Sequence, residues 1–156
     1  MNKKHHYSLT TEWTGNTGNG TSGYQAYSRK HRICIKGKQD IIGSSDPAFR
    51  GDLSLHNPEE LLLASLSACH MLWYLHLCAD NGIVVISYAD EAMGIMQEND
   101  NGSGAFAEVL LQPIVTIANP DLIAKAIELH VQANAMCFIA NSVKFPVYHK
   151  PILSGV

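Results

Sequence analysis

Thiols and imidazoles are the side chains of this 156-residue chain whose type permits chemistry: Cys34, Cys69, Cys78 and Cys137, with eight histidines. A thiol is a nucleophile only as its thiolate, so the surroundings of each cysteine decide whether it reacts. The four lie far apart with no Cys-x-x-Cys pair, which excludes a zinc ribbon and disfavours a disulfide scaffold. Cys78 follows Cys69 by nine positions, about half a turn out of phase on a helix, so those two cannot pair locally. Taken alone, Cys69 reads as a small buried hydrophobe, and Cys34 and Cys78 as filler. His70, His76 and His130 offer no His-x-x-x-His pairing. His70 and His76 stand roughly 120° apart around a helix, which disfavours a shared metal. The Gly15–Gly23 loop lacks the Lys-Ser/Thr ending and the preceding buried strand of a phosphate cradle, and reads as a turn.

The element that must position Cys69 runs from Asn57 to Gly82. Asn57 can cap it, Pro58 suits the first helical position, Glu59 and Glu60 favour the positive end of the dipole, and Asn81-Gly82 can stop it. Between those ends the residues are apolar on nearly every face, the pattern of a helix enclosed by protein. Its length also invites a membrane reading, against which Ser65, Ser67, His70, Tyr74 and His76 argue.

Ahead of the helix, His5 to Trp13 and Tyr24 to Ile35 alternate as hairpin strands. A short strand follows at Gln39 to Gly43, then an irregular approach through Arg50-Gly51-Asp52. After it, Ile83 to Gln97 and Phe106 to Ile117 read as two strands joined by the turn Asn99 to Gly104, with Pro113 implying an edge position or a bulge. Asn119-Pro120-Asp121 opens a second helix, Cys137 to Ser142 reads as a helical turn, and Val143 to Tyr148 as a closing strand. The order predicts an α+β fold with a largely antiparallel sheet, in one domain over 1–156. One small sheet covers one face of the central helix, so a partner subunit is a natural cover for the rest.

Composition narrows the function. Eleven Lys and Arg against fourteen Asp and Glu leave no basic field for nucleic acid. The N-terminal Met1-Asn2-Lys3-Lys4-His5-His6 has no apolar run behind it, so a cytoplasmic protein is expected, with no membrane partner.

The stretch Asn57-Pro58-Glu59-Glu60-Leu61-Leu62-Leu63-Ala64-Ser65-Leu66-Ser67-Ala68-Cys69-His70 resembles the first-cysteine helix of the OsmC/Ohr family of osmotically inducible and organic hydroperoxide resistance proteins. Cys137-Phe138-Ile139-Ala140-Asn141-Ser142-Val143 resembles its second-cysteine segment, and the order of elements and the length fit as well. The resemblance implies an OsmC-like intertwined homodimer and a thiol peroxidase without metal, haem or other cofactor, served by an external dithiol reductant, a lipoyl type being one candidate. It makes Cys69 the peroxidatic cysteine, Cys137 the resolving one, and Glu59 the holder of an arginine beside the thiolate. Two departures stand out. The early glycine-rich segment that carries the arginine in organic hydroperoxide resistance proteins has none here, leaving Arg29 and Arg50 as substitutes. The frequent His-Glu-x-Cys-Pro is replaced by Asn134-Ala135-Met136-Cys137-Phe138.

Only a thiolate attacks a peroxide oxygen, and apolar surroundings keep a thiol protonated, so such a site requires a cation. Leu66, Met71, Leu72, Trp73 and Phe138 would favour a lipid-like or aromatic hydroperoxide over hydrogen peroxide. The competing reading is a non-enzymatic OsmC-like dimer that binds an apolar or thiol ligand, its cysteines incidental.

Overall fold

The computed structural model describes residues 3–156; Met1 and Asn2, the start of the N-terminal reading, lie outside the described residues. The chain forms two compact units, Met1–Leu61 and Leu62–Val156.

In the first unit β1 (Thr10–Trp13), β2 (His31–Cys34) and β3 (Ile41–Gly43) form an antiparallel sheet in that order, with Trp13 opposite His31 and Ile33 opposite Ile41. Both predicted hairpin strands are thus shorter than expected. Residues 24–30 turn instead around the Arg29 guanidinium, which donates to the Tyr27 and Tyr24 carbonyls at 2.7 Å each and lies 4.4 and 4.2 Å from the Tyr24 and Tyr27 ring centroids. The approach to the central helix holds a 3-10 turn, Pro47–Phe49, capped by Asp46, whose carboxylate accepts from the Ala48 N–H at 2.7 Å. Arg50 follows in the left-handed region at φ 65°. Gly51 runs so close to the Ser45 carbonyl that a Cβ would sit 1.5 Å from its oxygen, so only glycine fits.

The central helix α1 (Pro58–Asp80) keeps the expected bounds because both ends are fixed by local chemistry. Asn57 Oδ1 accepts from the Glu60 N–H at 2.8 Å and Glu60 Oε2 accepts from the Asn57 N–H at 3.2 Å, a reciprocal capping box. At the far end Gly82 takes φ 67°, and the Ile83 N–H reaches back to the Cys78 carbonyl at 2.8 Å, closing a Schellman motif. Replacing Asn57 by alanine is expected to lower stability by about 1 kcal/mol, read as a shifted denaturant midpoint with unchanged slope.

In the second unit the two long predicted strands are each broken, a correction to the sequence reading. They become β4 (Val85–Asp90) and β5 (Met93–Glu98), then β6 (Gly104–Leu111) and β7 (Pro113–Ile117). The corner is held by Asp90, whose carboxylate accepts from the Gln112 N–H at 2.7 Å and from the Ser67 hydroxyl at 2.5 Å. With β8 (Val147–His149) and β9 (Ile152–Gly155), the four segments feed two sheets, β5-β6-β8 and β4-β7-β9. In both, the last strand runs parallel to the middle one, and β9 was not anticipated. Pro113 opens a central strand rather than lying on an edge or a bulge; its missing N–H falls at the strand's first position. A 3-10 turn, Pro120–Leu122, capped by Asn119, leads into α2 (Ile123–Met136), and a last 3-10 turn spans Ala140–Ser142. The architecture is α+β, as expected.

One core joins Tyr74, Cys78 and Ile83 to Val115, Ile117, Ala126, Leu129 and Ala133; a second joins Leu66, Val109 and Leu111. Only the ridge Leu66, His70, Tyr74 and Cys78 of α1 is fully buried, at the four-residue spacing that keeps side chains on one face. Its other faces stay apolar but open, Leu72 being 62% exposed. By length and composition α1 and the stretch Pro120–Ser142 could each cross a membrane, yet each lends a fully buried histidine, His70 or His130, to the protein interior.

Candidate active site

The second unit brings Cys69 and Cys137 together across 68 residues of chain. Cys69 lies on α1, partly exposed, and Cys137 caps the C-terminus of α2 at 1% exposure; both thiols are free. The Ala140 N–H donates to Cys137 Sγ at 3.3 Å. Burial pushes the Cys137 thiol up to about 11, the neighbouring Cys69 thiol adds to this, and the N–H groups of Ala140 and Ile139 oppose it. Cys137 is therefore protonated at neutral pH. Cys34 belongs to β2 of the first unit, and Cys78 to the core of the second.

Two aromatic rings accompany the thiols. Trp73 follows Cys69 by one helical turn, on the same face, and Phe138 follows Cys137 directly; their rings meet edge to face at 5.7 Å and 88°. Phe138 is 65% exposed, so this wall is open to a ligand. Leu66, expected beside a substrate, is instead fully buried among Val109 and Leu111 and out of a ligand's reach.

Of the other predicted site residues, Glu59 lies in the first turn of α1, and one carboxylate oxygen, Oε2, is buried without a hydrogen-bond partner among the described residues. Neither Arg29 nor Arg50 forms an ion pair with it among those residues. Arg29 is committed to the Tyr24 and Tyr27 carbonyls and rings. Arg50 is exposed on its left-handed turn.

Sequence reasoning missed a second cluster. His70 Nε2 meets His130 Nδ1 at 3.0 Å, both residues fully buried, and His149 stands edge-on to them at 5.6 and 6.3 Å between ring centroids. The His70 and His130 rings are 9° from parallel, with centroids 5.3 Å apart. That separation equals the contact plus the two ring radii, so the rings lie end to end, sharing one N–H···N bond. An ion in line between them would need about 4 Å, twice a metal–nitrogen bond. Each neutral ring carries one proton and the shared bond uses one, so the other lies on an outer nitrogen; both outer atoms, His70 Nδ1 and His130 Nε2, are buried without partners among the described residues. The Tyr74 ring stacks on His130 at 3.8 Å. Burial, helped by the neighbouring imidazoles, pushes His70 down to about 4 and His130 down to about 3. The signal available in the sequence was a histidine inside an apolar helix, which demands a partner.

An α+β chain that places two free thiols side by side, one from a central helix and one from the end of the second, defines a dithiol protein. The family model for OsmC-like proteins matches residues 51–150, and the chain belongs to that family. Among solved structures, an OsmC-like protein of unknown function from Vibrio cholerae O1 biovar eltor is 30% identical, with a TM-score of 0.86 over 96% of this chain and 100% of that one. An organic hydroperoxide resistance protein from Elizabethkingia anophelis is 18% identical, with a TM-score of 0.68 over 99% and 100%. One from Legionella pneumophila is 18% identical, with a TM-score of 0.68 over 97% and 99%. At that identity the last two establish likeness of fold alone. No curated protein sequence matches the chain.

Proposed function

We propose that this chain is a cysteine-based peroxidase for organic hydroperoxides, acting as a single OsmC-like domain in a cytoplasmic homodimer. The observation that carries this reading is the meeting of two free thiols from distant positions, one partly exposed and one enclosed. The Cys69 thiolate attacks the distal peroxide oxygen, the O–O bond breaks, and the alkoxide leaves and takes a proton as the alcohol, giving Cys69 sulfenic acid. Cys137 condenses with it, releasing water and forming the disulfide. An external dithiol reduces that bond by exchange and becomes a disulfide itself.

The Trp73–Phe138 wall favours a substrate with an aromatic or alkyl group over hydrogen peroxide. Open apolar surface supports the homodimer: Leu72 on α1 at 62% and Val131 on α2 at 64% exposure. The relatives named as organic hydroperoxide resistance proteins point to the same substrate class.

The reading requires a guanidinium for Cys69. The unpartnered Glu59 oxygen suits an arginine partner, since a buried carboxylate is costly unless paired. Arg50, with no ion pair among the described residues, is a better candidate than Arg29, whose guanidinium is held by Tyr24 and Tyr27. Arg50→Ala is expected to lower kcat/KM for cumene hydroperoxide about 100-fold, Glu59→Gln about tenfold, and Arg29→Ala less than Arg50→Ala. The check is hydroperoxide consumption in the presence of a small dithiol. Wild-type protein that consumes no hydroperoxide with any dithiol would leave the dimeric ligand-binding reading in its place.

A further inference from the structure

We infer that the Cys69–Cys137 disulfide is opened at Cys69, with Cys137 Sγ leaving toward the backbone N–H of Ala140. This rests on the disulfide of the proposed peroxidase cycle and assigns the direction of its reductive half. It gives the Ala140 N–H a role in that half of the cycle.

Thiol–disulfide exchange is an in-line displacement: the entering thiolate, the attacked sulfur and the leaving sulfur align, so the attacked sulfur must be open on the side away from its partner. Cys69 is partly exposed on α1. Cys137 is 1% exposed, at the end of α2, and the Ala140 N–H closes on its sulfur at 3.3 Å. An attack on Cys137 would have to pass through enclosed protein.

A thiolate leaves faster the lower its pKa, and burial pushes the Cys137 thiol up to about 11, so access to the attacked sulfur decides the direction and the Ala140 N–H offsets part of the cost of expelling Cys137. Burial disfavours its charge, which is why that N–H matters. Once expelled, the sulfur takes a proton and is a poor nucleophile for the return reaction.

The steps balance with a dithiol reductant. Its first thiolate forms a sulfur–sulfur bond to Cys69 as the Cys69–Cys137 bond breaks, and Cys137 departs as thiolate and is protonated. Its second thiolate then attacks the reductant's own sulfur in the mixed disulfide. Cys69 thiolate is released and the reductant leaves as a disulfide.

The test starts from a Cys34→Ser protein, so that no other partly exposed thiol joins the exchange. Diamide forms the disulfide without peroxide, one equivalent of glutathione opens it, and iodoacetamide quenches within seconds before peptide mapping. Glutathione is expected on Cys69 with Cys137 alkylated, by about tenfold over the reverse. Glutathione on Cys137, or equal labelling, would overturn the inference, and so would failure of diamide to join the two cysteines. A protein joined by diamide but not by a hydroperoxide, with glutathione still landing on Cys69, would count against the peroxidase reading alone and uphold the direction of opening.

Discussion

Cys69→Ser is expected to abolish hydroperoxide turnover, with a loss of at least about 1000-fold in kcat/KM, while the fold is retained. A serine hydroxyl stays protonated at neutral pH and has no accessible anion to attack the peroxide oxygen. The side chain is partly exposed, so the exchange of sulfur for oxygen leaves little cavity. Cys137→Ser should fail differently. Its first attack gives one equivalent of alcohol and leaves sulfenic acid, which excess peroxide oxidises more slowly to sulfinic acid with release of a second equivalent. Rapid-quench alcohol yield and intact mass separate the two variants. Equal activity of Cys69→Ser and wild type would end the peroxidase account.

The second large effect is on stability. His70 and His130 are fully buried, and their folded pKa values, about 4 and about 3, lie below the ordinary 6.5. The unfolded chain therefore binds more protons as pH falls below 6.5. The contribution of the neutral pair is complete above that value and is lost progressively down to the folded values. Each group changes stability by about 1.4 kcal/mol per pH unit within its window. Lowering the pH from 7 to 5 should thus remove roughly 3–4 kcal/mol, seen as a lower urea midpoint. His130→Gln should about halve the slope. His149, Tyr74 and Tyr88 line the same interior, and none is an anion that could offset a protonated imidazole at these pH values. A flat profile between pH 7 and 5 would show that water or a partner group solvates the pair.

What the sequence revealed followed the range over which each feature is determined. The bounds of α1 were legible because Asn57, Glu60 and Gly82 act within a few residues of themselves. The break between β4 and β5 was not, since an apolar run looks alike whether or not Asp90 turns it against Gln112, 22 residues away. The strand expected through Tyr24–Lys30 gave way to the Arg29 clamp, a tertiary choice by a side chain that alternation cannot register. The thiol pair was reached through resemblance to a family, because nothing local links positions 69 and 137. The His70–His130 bond, 60 residues long in sequence, had no such guide.

The two thiols and the two imidazoles share elements but differ in consequence. Cys69 and His70 are neighbours on α1, about 100° apart around its axis, and that rotation puts one sulfur at a partly open surface and one ring in the core. The helix thereby carries a reactive face and a structural one.

The most direct measurement is disulfide mapping after reduced wild-type protein meets one equivalent of cumene hydroperoxide. The account predicts a Cys69–Cys137 bond within seconds, with Cys34 and Cys78 remaining alkylatable. Four free thiols after minutes, or a bond that omits Cys69, would contradict it.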